Sequence, residues 1–214
     1  MSEIDYKSHW EKVYNKTEFD KLGWYEKEAA PSLDLIQLCN LPKDAKILNV
    51  GAGATTFVDD LLKLGYTNLL ANDISAPALE VLKNRLNDEH QNNVKFIVDD
   101  LTNPTKELLK INNIDVWHDR AVLHFFTDEN DQNTYFDLLR KGLKPRGFVI
   151  IAVFNLEGAL KCSGLDVFRY DADMLQNKLG NNFKLLKTFN YTYTMPSGDE
   201  RSYVYTLFQH LSND

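Results

Sequence analysis

Residues 46–73 read KILNVGAGATTFVDDLLKLGYTNLLAND, and this stretch decides the fold. A short apolar run, Ile47, Leu48 and Val50, breaks at Gly51-Ala52-Gly53 and passes into a helical pattern over 55–64, with Phe57, Val58, Leu61 and Leu62 on one side. Gly65 stands where a helix C-terminal glycine belongs, and a second apolar run over 68–71 ends on Asp73. Strand, glycine turn, helix and strand therefore deliver a carboxylate beside the first turn. Glycines at 51 and 53 allow close approach of a ligand, and an acid about twenty residues on is placed to accept from the two hydroxyls of a ribose. The third glycine of a dinucleotide turn is replaced by Thr56, so the expected ligand is a nucleoside rather than a pyrophosphate.

The stretch resembles the first motif and the following acidic motif of the class I S-adenosylmethionine (SAM) dependent methyltransferases. The resemblance implies that Gly51 and Gly53 face the methionine part of SAM and that Asp73, with Ile74 after it, holds the ribose. One departure is Asn49, where the family usually carries an acid two residues before the first glycine. Asn49 is still expected near the cofactor.

The rest of the chain follows in the family's order. A helical stripe over 6–15 with Trp10, Val13 and Tyr14, then Phe19, Leu22, Trp24 and Tyr25, forms an aromatic arm, 1–30, ahead of a core over 31–214 within one 1–214 domain. Its HWxxxY segment resembles the region that covers the cofactor in many small methyltransferases, and aromatic faces suit a sulfonium or ammonium cation. Trp24 is thus placed against the cofactor and Tyr25 toward the substrate. A helix from Ser75 and a third strand, 94–98, lead to Asp99-Asp100-Leu101, where the resemblance puts an acid on the adenine amine; the register favours Asp100, with Leu101 beside it.

The fourth strand, 114–118, runs into WHDRAVLHFFTD. Strand ends of an open parallel sheet face the ligand crevice, which directs Asp119, Arg120 and His124 to the site. If the acceptor must lose a proton, His124 is the first candidate base and Asp119 the second; Arg120 and His124 are placed near the substrate. A helix over 130–142, a turn LKPRG similar to the family's LxPGG-like turn, a buried strand FVIIAVF over 148–154 and a long loop over 155–170 follow. The loop's CSGL and RYD resemble a group of small, uncharacterised bacterial methyltransferases and set Cys162 as a candidate substrate contact. Two alternating runs, 183–193 and 202–209, close the chain as a hairpin. The implied fold is α/β, a Rossmann-like seven-stranded mostly parallel sheet with helices on both faces and a C-terminal antiparallel hairpin.

Composition narrows the partners. The chain has 214 residues with 43% hydrophobic and a formal net charge of -7, which suits one core and argues against a surface that tracks nucleic acid. The absence of an apolar run near eighteen residues and of a leader pattern sets the expectation of a cytoplasmic protein, away from membranes, as monomer or homodimer. Two cysteines, Cys39 and Cys162, fit no metal spacing. The expected reaction is methyl transfer from SAM to a small-molecule acceptor without a metal. The alternative is a protein lysine methyltransferase, since related enzymes share the HWxxxY arm; more distant rivals are a SAM-binding protein without turnover and a nicotinamide oxidoreductase.

Overall fold

The computed structural model describes residues 5–211, so the outermost residues of the expected arm and core lie outside the described residues. Among the described residues a seven-stranded sheet is built from β1 (Lys46–Val50), β2 (Asn68–Asp73), β3 (Val94–Val98), β4 (Ile114–Arg120) and β5 (Leu143–Phe154) with two later strands. A two-residue ladder, β6 (Lys161–Cys162) with β7 (Leu165–Asp166), lies in the loop after β5, and β8 (Phe183–Thr194) and β9 (Glu200–His210) complete the large sheet. The order is β3-β2-β1-β4-β5-β9-β8, with β1 to β5 parallel and β9 antiparallel to both of its neighbours. This is the Rossmann-like sheet and closing hairpin expected from the sequence.

The unbroken apolarity of β5 has a direct structural cause. Val149, Ile151 and Val153 enter one core while Ile150, Ala152 and Phe154 enter the other, and all six are 0% exposed. A strand covered on both faces needs apolar side chains at every position rather than at alternate ones. The first core packs against helices α2 (Ala30–Leu38), α3 (Phe57–Lys63) and α4 (Ala76–Arg85), through residues such as Ile36, Phe57, Leu61 and Leu82. On the other face stand α7 (Glu129–Gly142) and α8 (Ala172–Leu179), through Tyr135, Leu139, Leu175 and Leu179. Fully burying each such side chain contributes about 1.5–3 kcal/mol, so the two cores dominate the stability. The helices over 76–85, 129–142 and 172–179 begin on side-chain caps: Ser75 Oγ, Asp128 Oδ1 and Asp171 Oδ1 accept backbone N–H groups of Ala78, Asn130 and Met174.

Several boundaries differ from the sequence reading for local reasons. α3 starts at Phe57 because Thr55 folds back, its amide and hydroxyl both donating to the Ala52 carbonyl, and so closes the glycine turn. Strand β4 runs two residues past His118 to Arg120, continuing its pairing with Ile151 and Ala152 of β5. Strand β5 begins at Leu143, and within it Arg146 takes a left-handed φ of 64° where the similar turn of the family has a glycine. The loop over 155–170 carries the β6–β7 ladder and is tied back by Phe168 N–H to the His124 carbonyl (2.7 Å) and Tyr170 N–H to the Phe154 carbonyl (3.0 Å).

A polar chain crosses the second core. Trp117 Nε1 donates to Tyr135 Oη (3.0 Å), which donates to Asp119 Oδ2 (2.7 Å). Replacing Tyr135 by Phe leaves a buried indole N–H without its acceptor and a buried carboxylate short of one donor. The expected loss is about 1–3 kcal/mol in urea denaturation with an unchanged m value.

Candidate active site

The strand order reverses between β1 and β4, so their connections leave in opposite directions and open a crevice at the C-terminal ends of the strands. A cavity lies there, and its wall follows the sheet: Asp99, Asp100 and Leu101 after β3, Asp73 and Ile74 after β2, Gly51 after β1, and Arg120 with Ala121 and Val122 at β4. Cys162 on β6 belongs to the same wall. The roof comes from helix α1 (Tyr6–Lys16) and the segment behind it. Trp10 stands edge-on to Trp24 (5.4 Å between ring centroids) and to Phe125 (4.9 Å), Tyr14 stands edge-on to Trp24 (5.9 Å), and Tyr6 Oη donates to the Phe125 carbonyl (2.9 Å).

The glycine turn is tight on both sides. Gly51 has φ 58° and Gly53 φ 51°, and a Cβ added to them would stand 2.0 Å from Val122 Cγ2 and 2.3 Å from Tyr14 Oη. These glycines are thus required both by the backbone and by the side chains of the wall and roof that press on them. Asp73 clamps the turn: Oδ2 accepts from Gly53 N–H and Oδ1 from Ser75 N–H, each at 2.8 Å. A carboxylate has about four acceptor sites, so each oxygen keeps a lone pair for a further donor from the cavity. Burial pushes Asp73 up to about 6, with the amides of Ser75, Gly53 and Ile74 pulling the other way.

At the end of β3 the two acids have different work. Asp99 accepts from Asp100 N–H, from Thr105 N–H and from the Thr105 hydroxyl, so both its oxygens are engaged in holding the loop. Asp100 is engaged through Oδ1 alone, by Thr102.

Five residues expected at the site are not on the cavity wall, and the first of them, Gly53, lies under the Tyr14 hydroxyl. Asn49 lies one layer behind, its Oδ1 2.7 Å from His118 Nδ1, while His118 Nε2 is 2.8 Å from Ser32 Oγ and the imidazole stacks on Phe57 at 3.9 Å. Asp119 turns into the second core, where it accepts from Val122 N–H, Leu123 N–H and Tyr135 Oη; burial raises it to about 6. His124 is fully buried between Phe125 and Phe154, and its Nδ1 faces the Phe154 N–H at 3.4 Å. Burial first, and Arg120 second, lower its pKa to about 3, which leaves a neutral ring and a weak base. Tyr25 packs on Phe19 at 5.7 Å and offers its carbonyl to the Tyr193 hydroxyl. For Asp119 the physical reason is that β4 runs on to Arg120, so alternation sends Asp119 to the far face and leaves Arg120 and residues after it at the crevice.

Arg120 organises the wall at β4. Its Nε is 3.0 Å from Glu26 Oε2 and 3.1 Å from Tyr205 Oη, and its Nη1 donates to the Trp24 carbonyl at 3.0 Å. Sequence reasoning missed Glu26, which no motif marks, and missed Phe125 and Phe126 as wall residues although HFF was in view. Among the described residues no group of three or more His, Cys, Asp or Glu is arranged to hold a metal, and no helix is long and apolar enough to cross a membrane.

This fold and crevice define the nucleoside-binding α/β enzymes whose glycine turn and ribose acid lie on neighbouring strands. A family model described as a methyltransferase domain matches residues 41–208, and the chain belongs to that family. It is a class I SAM-dependent methyltransferase with SAM as its cofactor. Among curated relatives, EEF1A lysine methyltransferase 2 of Danio rerio is 26% identical over 196 residues, covering 86% of this chain and 82% of the relative. The Homo sapiens protein of the same name is 25% identical and covers 72% of this chain and 70% of its own. Among solved structures, a SAM-dependent methyltransferase from Anabaena variabilis superposes with a TM-score of 0.77 at 15% identity, over 97% of this chain and 96% of that one. The 1,6-didemethyltoxoflavin-N1-methyltransferase of Burkholderia thailandensis, solved with S-adenosylhomocysteine, gives 0.72 at 18% identity over 96% and 87%.

The raised pKa of Asp73 gives a pH signature in the protein without cofactor. The folded pKa, about 6, lies above the ordinary carboxylate value of 3.8, so the contribution is complete below 3.8 and is lost as pH rises through 6. Asp73→Asn, which cannot carry the charge but sets an NH2 against one of the two backbone donors, should be less stable than the wild type at pH 4 and narrow that gap toward pH 7, a swing on the order of 1–3 kcal/mol. Paired thermal melts across this range measure it, and parallel curves for the two proteins would contradict the assignment.

Proposed function

We propose that the enzyme methylates a small molecule, within a site that the 1–30 arm closes. The supporting observation is the roof of Trp10, Tyr14 and Trp24, which leaves a cavity of about 90 Å³, against the roughly 300–1,000 Å³ usual for a small-molecule pocket. A site this closed requires the arm to lift for the cofactor and to return around an acceptor small enough to lie beneath it. A protein segment would hold the roof open.

The residues on the wall fit SAM. In this reading Asp73 takes the ribose hydroxyls on its remaining lone pairs, Asp100 and Leu101 flank the adenine, Ile74 packs beside them, and the turn at Gly51 and Gly53 lies along the methionine part. Trp24 and its neighbours cover the sulfonium with aromatic faces. When bound, SAM supplies an electrophilic methyl, which an acceptor lone pair takes as the carbon–sulfur bond breaks and S-adenosylhomocysteine leaves. The protein aligns the two partners and keeps water out. With His124 and Asp119 behind the wall, we assign them to positioning β4 and its following turn, and the acceptor enters already nucleophilic. Asn49 likewise acts through the turn and not by contact.

The second reading, a protein lysine methyltransferase, is favoured by the relatives named for EEF1A lysine methylation. Incubating the enzyme with methyl-labelled SAM and cell extract, then separating the dialysable fraction from protein, decides between them. Label in a dialysable product other than SAM, formed only when the enzyme is added, is the expected outcome, and enzyme-dependent label confined to protein lysine would establish the second reading.

Two further outcomes test the site. Asp73→Ala should weaken SAM binding by about 1.5–3 kcal/mol in calorimetry while the fold is retained; unchanged affinity would remove Asp73 from the ribose. Hydrogen exchange should show residues 6–25 gaining protection on adding S-adenosylhomocysteine, comparable to that of the glycine turn. Identical exchange in both states would make the aromatic arm a fixed wall rather than a lid.

A further inference from the structure

Arg120 has one side that nothing among the described residues uses. Its side chain is only 7% exposed, Nε and Nη1 are engaged as described, and Tyr193 and Tyr203 lie under the guanidinium at 5.0 and 5.2 Å from their ring centroids. Nη2 is buried and has no hydrogen-bond partner among the described residues. An unpaired buried donor on a charged group is costly, and a guanidinium with its outer nitrogen open is the usual seat of a planar oxyanion. Arg120 forms the cavity wall at β4, on the far side of the glycine turn from Asp73 and Asp100, with Cys162 beside it.

We infer that this end of the cavity is the acceptor subsite and that it takes a small monocarboxylate, seated by its anionic oxygens on Arg120 Nη2 with its apolar body in the cavity. The inference rests on the small-molecule reading and sharpens it. Two features set the charge. The tyrosine faces that would receive an ammonium already hold the guanidinium of Arg120, so a cationic acceptor meets a like charge where it needs an aromatic cage. Glu26 on the other edge already balances the guanidinium, so a bound anion is held by the Nη2 hydrogen bonds and adds its charge beside Glu26, which disfavours a dianion more than a monoanion.

The test uses three probes with a common phenyl body and different charge, benzoate, benzamide and benzylammonium, added to the protein loaded with S-adenosylhomocysteine and followed by saturation-transfer NMR. Benzoate should bind, with benzamide weaker and benzylammonium weakest. The variant is E26Q/R120M, which removes the arginine without stranding the buried glutamate. Benzoate affinity should fall at least about tenfold in it, while S-adenosylhomocysteine affinity measured by calorimetry falls by clearly less, through loss of the Arg120 donor to the Trp24 carbonyl alone. Absence of benzoate binding, or benzylammonium binding as tight as benzoate, overturns the inference even if the variant fails to fold, because both are read on the wild type. Loss of S-adenosylhomocysteine affinity comparable to the loss of benzoate also overturns it, since Arg120 would then hold the cofactor's own carboxylate. A wild-type protein that does not bind S-adenosylhomocysteine would instead defeat the cofactor assignment itself.

Discussion

The hydrogen bond from Gly53 N–H to Asp73 Oδ2 is the tie on which the rest of the site depends. It joins the end of β1 to the end of β2 at 2.8 Å, and with Ser75 N–H on the other oxygen it fixes one carboxylate between two backbones. Charge is what makes the tie strong and also what makes it expensive, because the same carboxylate is buried and its pKa rises to about 6. The turn it secures has no room for other residues at 51 or 53, so Val122 can press in from β4 and Tyr14 from α1. Strand end, roof and wall meet at this one loop.

Behind the loop, Asn49 explains itself through its neighbour. His118 sits with one ring nitrogen on Asn49 Oδ1 and the other on Ser32 Oγ, fully enclosed, and burial lowers its pKa to about 3. A neutral imidazole and a neutral amide satisfy each other without bringing an ion into the core. A carboxylate at position 49 would favour the protonated imidazole and would install a buried ion pair beneath the glycine turn. The departure from the family pattern at 49 and the histidine at 118 are therefore one feature.

Most of the fold was legible because its cause is local. The unbroken run in β5 announces burial on two faces, and Gly51, Gly53, Gly65 and Ser75 mark where elements turn or begin. The site was legible only as far as strand ends can be read. Gly51, Asp73, Asp100 and Arg120 fall on the wall because they terminate or directly follow strands, whereas Asp119 and His124 were assigned to the crevice by proximity in sequence. Two more residues of strand were enough to turn Asp119 away, and strand length depends on pairing with β5, which no single stretch encodes. Glu26 lay further out of reach: its partner is 94 positions away, and only the folded chain brings the two together.

The antiparallel insertion of β9 between β5 and β8 has a consequence for how the molecule comes into being. The glycine turn, Asp73 and Asp99-Asp100 are all present in the chain by residue 101, while Tyr203 and Tyr205, which support Arg120, lie on β9. During synthesis the part of the crevice beside Asp73 can assemble while Arg120 is still without those tyrosines. A nascent chain therefore acquires the Asp73 side of the crevice before the Arg120 side, which is complete only once β9 has slid into the gap between β5 and β8.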